Sequence, residues 1–153
     1  MKKIVFLFVA TMLCSGVFAH DLKKEKEAIK KVIQTAYVDG LQNEGDLDKI
    51  DSGIHPDFRL IGIGEENSMW SLPIDEWKKR TKKKKEDGKF PRTGEKKVSV
   101  TFESIDITGN AAVAKIKFFV GKKLTYVDYI ALYKFPNGWK MVNKIYYKFP
   151  EKK

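Results

Sequence analysis

The sequence predicts an α+β domain, with helices gathered in its first half and an antiparallel meander in its second. Three observations carry this. In residues 22–42, Ile29, Val32, Ile33, Ala36, Tyr37, Gly40 and Leu41 recur at the spacing of one helix face, with Lys and Glu on the other. From residue 96 onward, β-rich runs are separated by Gly109-Asn110, Gly121-Lys122-Lys123 and Asn137-Gly138. No helical pattern interrupts those runs, so no βαβ crossover is available, and helices segregate from strands.

The elements follow in order. Asn43-Glu44-Gly45 ends the first helix, and Asp46 is placed to cap a short second one over 47–52, closed by Gly53. His55-Pro56-Asp57 is a turn into a strand over 58–63. A loop over 64–67 leads to a short strand carrying Trp70. Pro73 suits the first turn of a third helix, with Asp75 and Glu76 near its positive end and its lysines toward the negative end. Ile74 and Trp77 mark its inner face. Asp87-Gly88 stops it, and residues 89–95 form a polar connector. Strands over 96–108, 111–120, 124–135 and 139–149 complete the meander.

The last hairpin is the most informative stretch. A two-residue turn at Asn137-Gly138 sets Asp128 opposite Tyr147 and Leu132 opposite Asn143. In that register Tyr126, Asp128, Ile130, Leu132, Met141, Asn143, Ile145 and Tyr147 share one face. Val127, Tyr129, Ala131, Tyr133, Val142, Lys144 and Tyr146 share the other. Both faces are mostly apolar, so both are expected to be covered. Asp128 and Asn143 then lie among Ile, Leu and Met and need partners. Lys144 reads as an interface or surface lysine.

The 153 residues suit one domain. Lys2-Lys3, an apolar run over 4–13 and the small residues of Val17-Phe18-Ala19 form a secretory signal peptide over 1–19, leaving 20–153 as the mature domain. That run is too short for a comfortable membrane span, and the mature form is expected to have no membrane association. Leu13 before Cys14 disfavours lipidation. Without the leader no cysteine remains, and His55 is the single internal imidazole. A zinc site and a Ser/His/Asp triad therefore have little to draw on, and no metal or cofactor is expected. The formal charge of +10 becomes +8 without Lys2 and Lys3. The densest basic run, residues 78–85, holds no aromatic residue to stack a base. It reads as a solvated helix end and not as a nucleic-acid site.

A long helix ending in QNEGDLDKI, then HPDFRLIG, a Trp-bearing helix and a meander closing on VDYIALYKFPNGWKMVNKIYY together resemble the nuclear-transport-factor-2-like superfamily. The likeness is greatest to the branch named Putative lumazine-binding, related to the SnoaL-like proteins. It covers residues 24–149. His55-Pro56-Asp57, Val127-Asp128-Tyr129, Trp139-Lys140 and Val142-Asn143-Lys144 carry most of it. The resemblance implies a cystatin-like cone: a curved antiparallel sheet wrapped around the long helix, an apolar pocket inside, and homodimers through the outer sheet face. The ketosteroid isomerases of the superfamily use a helix tyrosine and a strand aspartate. Tyr37 falls near the former, but Gly62 stands close to the latter position and cannot act as a base.

Function is less legible than fold, because this fold hosts enzymes, transport factors and binding modules. The favoured reading is an exported, non-catalytic module holding a small apolar or aromatic molecule with Tyr37, His55, Trp70, Trp77, Asp128 and Asn143. No catalytic residue is assigned. One alternative is an isomerase or dehydratase using His55 or Asp128 with Tyr37. Another is a structural homodimer without ligand, which a filled cone would favour.

Overall fold

The computed structural model describes residues 21–150; the expected leader, residues 1–19 with Cys14, lies outside the described residues. The first helix (α1, residues 21–44) is α-helical to residue 32 and π-helical over Ile33–Glu44. The change of winding is visible in what it buries. Ile29, Ile33, Tyr37 and Leu41 recur every four residues, while Ile33, Val38 and Asn43 recur every five, and all are buried. Gly45 ends the helix at φ 61°, its N–H donating to the Gly40 carbonyl. The ring of Phe90 lies where a Cβ on Gly45 would come within 2.8 Å, so glycine is required twice over.

Asp46 caps α2 (Leu47–Gly53), its side chain accepting from the Lys49 N–H. Strand β1 (Ile54–Ile63) and β2 (Met69–Pro73) form a hairpin. The helix α3 (Ile74–Glu86) follows Pro73 directly, with Asp75 and Glu76 in its first turn and Lys83, Lys84 and Lys85 in its last. Then come β3 (Val98–Thr108), β4 (Ala111–Val120), β5 (Lys123–Phe135) and β6 (Gly138–Lys148). The six strands make one sheet in the order β2-β1-β6-β5-β4-β3. All neighbours are antiparallel except β1 and β6, which run parallel. The α+β class and the meander are as the sequence predicts; the parallel join had no sequence signal.

Three extra residues bend the meander. Glu103 is unpaired between Phe102 and Ser104, Thr125 between Leu124 and Tyr126, and Val142 between Met141 and Asn143. Each such bulge adds local twist and bends its strand, which is how a sheet acquires a concave face. Into that face packs α1: Ile29, Ile33, Ala36, Tyr37 and Leu41 join Ala114, Ile116, Ile130, Leu132 and Met141 in one core. Strand β4 tapers along its inner face, from Ala112 and Ala114 to Ile116 and Phe118, so the cone is tight at one end and walled by large rings at the other.

The last hairpin corrects the expected register. The turn residues are Pro136 and Asn137, with Phe135 paired to Gly138. Leu132 therefore meets Met141. That shift leaves the faces unchanged, because it moves pairing by two. The bulge at Val142 does not. Beyond it Ala131 pairs with Asn143, Ile130 with Lys144 and Asp128 with Tyr146. Lys144 and Tyr146 thus turn into the cone, and Asn143, Ile145 and Tyr147 turn out.

Asn43 ties the end of α1 to the meander. It is buried, its amide donates to the Val98 carbonyl at 2.9 Å, and its carbonyl accepts from the Val98 N–H at 2.8 Å. Asn43→Ala leaves both backbone groups unpaired and is expected to lower stability by about 2–3 kcal/mol in urea denaturation. A loss under about 1 kcal/mol means that water replaces the amide.

Candidate functional site

Asp128 stands on β5 with no exposed surface, facing α1. Its two oxygens are both engaged. The Tyr37 hydroxyl, from the π-helical turn of α1, donates to Oδ2 at 2.8 Å. The Lys144 ammonium, from β6, donates to Oδ1 at 2.8 Å. Lys144 is 4% exposed, so this is a fully desolvated ion pair. Its remaining surface meets aromatic faces: Nζ lies 5.1 Å from the Tyr37 ring centre and 5.0 Å from that of Tyr146. Burial pulls the lysine pKa below its ordinary value, although Asp128 opposes this. Burial also pushes the Tyr37 phenol well above its own, reinforced by the charge of Asp128 and the bond to it. Among the described residues no buried side-chain polar atom lacks a partner.

Above this network lies a cavity of about 210 Å³. Its walls are Tyr37, Trp77, Phe118, Tyr126 and Tyr146, with Leu60, and its polar lining is Gln42, Lys84 and Lys144. The rings meet mostly edge to face. Tyr37 and Trp77 are 6.3 Å apart at 72°, Phe118 and Tyr126 5.4 Å at 75°, and Tyr126 and Tyr146 5.5 Å at 85°. The Tyr146 phenol is also raised, first by burial and then by Tyr126 and Asp128. The space is smaller than the roughly 300–1,000 Å³ typical of drug-sized ligands. It suits a single ring and a substituent.

Of the residues singled out in the sequence, Tyr37, Trp77 and Asp128 meet here. Asp128 is the buried support of the cavity and not part of its lining. Trp70 lies flat across Gly62, where a Cβ would meet its ring at 2.3 Å, and its ring centre is 6.3 Å from that of Tyr146. It is not among the residues that line the cavity. Asn143 faces away from the cone and donates to the Arg59 carbonyl at 3.1 Å. His55 is elsewhere. Its ring stacks on Phe135 at 4.9 Å, its Nδ1 accepts from the Asp57 N–H at 3.1 Å, and it borders a separate groove of about 700 Å³ between α2, α3 and the last turn. The lysine at 144, expected at a surface or interface, is the sequence reading's main omission. Tyr146, Tyr126 and Phe118 were missed with it. Among the described residues no group of three or more His, Cys, Asp or Glu is placed to hold a metal, and no helix is long and apolar enough to cross a membrane.

Residues 24–147 match the family described as Putative lumazine-binding. The chain belongs to that family. Solved structures of the same fold include a nuclear-transport-factor-2-like protein of unknown function from Shewanella baltica, 23% identical, covering 84% of this chain and 96% of that one with a TM-score of 0.65. A second, from Silicibacter pomeroyi and also of unknown function, is 14% identical over 84% of this chain and 98% of its own, again at 0.65. A domain with a cystatin-like fold from Nostoc punctiforme is 9% identical over 84% and 79%, with a TM-score of 0.56. At such identities the likeness concerns the fold alone. No curated protein matches the chain.

Breaking a buried ion pair from one side strands the other charge. Asp128→Ala is expected to cost about 3–5 kcal/mol in chemical denaturation. Asp128→Leu combined with Lys144→Met is expected to recover part of it, because neither charge then remains and only the Tyr37 hydroxyl is left unpaired. Equal destabilisation by the single and double variants would mean that packing around Asp128, and not charge, is what matters.

Proposed function

We propose that this protein is an exported, non-catalytic binding module for a small molecule with one aromatic ring. The observation that carries the reading is the small cavity walled by five aromatic rings over a polar network that is already closed. Catalysis by proton transfer needs a group free to accept or give a proton within reach of the ligand. Asp128 has both oxygens engaged and no exposed surface, the Tyr37 hydroxyl is committed as a hydrogen-bond donor to Asp128, and His55 lines another groove. These facts weigh against the isomerase or dehydratase reading. The open cavity weighs against a ligand-free structural role. Export rests on the order of Lys2-Lys3, the apolar run and Val17-Phe18-Ala19.

Filling the cavity tests this. Gln42 is half-buried in the lining. A screen of small aromatic compounds by thermal shift is expected to find stabilising ligands for the wild type and none for Gln42→Trp. If the same compounds stabilise both, they bind outside the cone.

A second copy of the chain is the partner this reading includes. Tyr129, Tyr133, Ile145, Tyr147 and Val113 are each about two-fifths or more exposed on the outer side of β4, β5 and β6. An apolar sheet face of this extent suits an isologous dimer contact. The sequence sets Val142 and Tyr146 on the face of Tyr129 and Tyr133, the face expected to meet a partner; with the observed register Ile145 and Tyr147 stand there instead. Light scattering is expected to give twice the monomer mass for wild type and the monomer mass for Ile145→Glu. A wild type that stays monomeric at high micromolar concentration refutes it.

A further inference from the structure

The connector after α3 brings a guanidinium to a cleft that meets the cavity at Lys84, the cavity's mouth. The Arg92 N–H donates to the Asn43 carbonyl at 2.7 Å, and Phe90 packs its ring on Gly45. The Arg92 guanidinium stands 5.6 Å above that ring. Arg92 is thereby pinned beside the end of α1. From there its charge acts on the hydroxyls of Tyr37 and Tyr126, two walls of the cavity. The side chain is half-buried, and partial loss of water lowers its pKa below the usual guanidinium value. Among the described residues it takes part in no salt bridge. A cation partly stripped of water and without a carboxylate is an unmet electrostatic demand.

A second cation stands next to it. Lys84 is a wall of the cavity and also of an adjoining cleft of about 670 Å³, whose other cations are Arg92, Lys89 and Lys96. Asp87 is the one carboxylate among the lining residues of the two spaces. Lys144, deeper in, is neutralised by Asp128. The surplus positive charge therefore lies at the mouth, while the interior is aromatic.

We propose that the cavity takes a small aromatic carboxylate, its ring among Trp77, Phe118, Tyr126 and Tyr146 and its carboxylate at the mouth against Arg92 and Lys84. This rests on the reading of the cavity as a ligand site and gives that ligand a charge. The planar fork of arginine matches a carboxylate with two parallel N–H donors. Desolvation makes such a bond count for more than it would on an open surface. The ligand also enters without losing a partner for Asp128 or Lys144, which already satisfy each other.

Calorimetric titration with benzoate, with its neutral analogue benzamide and with inorganic phosphate separates the possibilities. Benzoate is expected to bind wild type at least roughly tenfold more tightly than benzamide or phosphate. Arg92→Gln is expected to weaken benzoate by about tenfold and leave benzamide unchanged. Gln42→Trp is expected to abolish both. Benzamide binding as tightly as benzoate, with both lost in Gln42→Trp, would overturn the preference for an anion while keeping the cavity as a ligand site. Phosphate matching benzoate would make the mouth a general anion patch and overturn the role of the ring. Benzoate affinity unaltered in Arg92→Gln overturns the assignment of Arg92. No binding by any aromatic probe, wild type and Gln42→Trp alike, overturns this inference together with the reading beneath it.

Discussion

Asp128 holds a charge where no water reaches, and much of the fold is arranged around answering it. Its two partners come from opposite directions, Tyr37 from the helix and Lys144 from the neighbouring strand. The three side chains join α1, β5 and β6 through one carboxylate. An apolar replacement of similar volume would often be as stable. What the network adds is a tie between layers: the ion pair joins β5 to β6, and the Tyr37 hydroxyl joins α1 to the same carboxylate. The rings of Tyr37 and Tyr146 then close over the lysine and become walls of the cavity.

The elements were legible because their signals are local. The cap at Asp46, the proline before α3, and the Gly-Asn turn before β4 each act within a few residues, as does the last turn, displaced by one residue to Pro136-Asn137, and the strands between them follow. The π-helical winding left a trace only as a doubling of the buried period, which a search for helical spacing reads as one broad face. The parallel pairing of β1 with β6 depends on contacts nearly ninety positions apart (Ile54 with Met141) and leaves no local mark.

The site was legible in part, and its gaps have one main cause. Alternation along a strand assigns Lys144 to the outside, and only the extra residue at Val142 reverses that. Valine is an ordinary strand residue, so the sequence gives no warning. The same reversal moved Asn143 out and Tyr146 in, whereas Tyr37, Trp77 and Asp128 lie on elements without a bulge between signal and site. Arg92 was unreadable for a different reason. Its place depends on the Asn43 tie and on Phe90 seated against Gly45, both long-range. Relatives that share the fold at 14% and 23% identity show how little of the chain is needed to specify the cone. The residues that give it a chemistry are a separate, smaller set.

The bulges also bear on how such a chain can vary. Glu103, Thr125 and Val142 are each surplus to the ladder, since the residues flanking them face adjacent partners across the strand pair. A lineage that loses one of them keeps its inward residues inward and its outward residues outward, and gives up only some curvature. Width at the mouth is thus adjustable by single deletions without exchanging the lining for the surface. Elsewhere in these strands a one-residue change in length inverts every side chain beyond it. Gaps in this family are then best tolerated at a few fixed positions, and two chains compared without a gap at Val142 would set a cavity lysine against a surface residue.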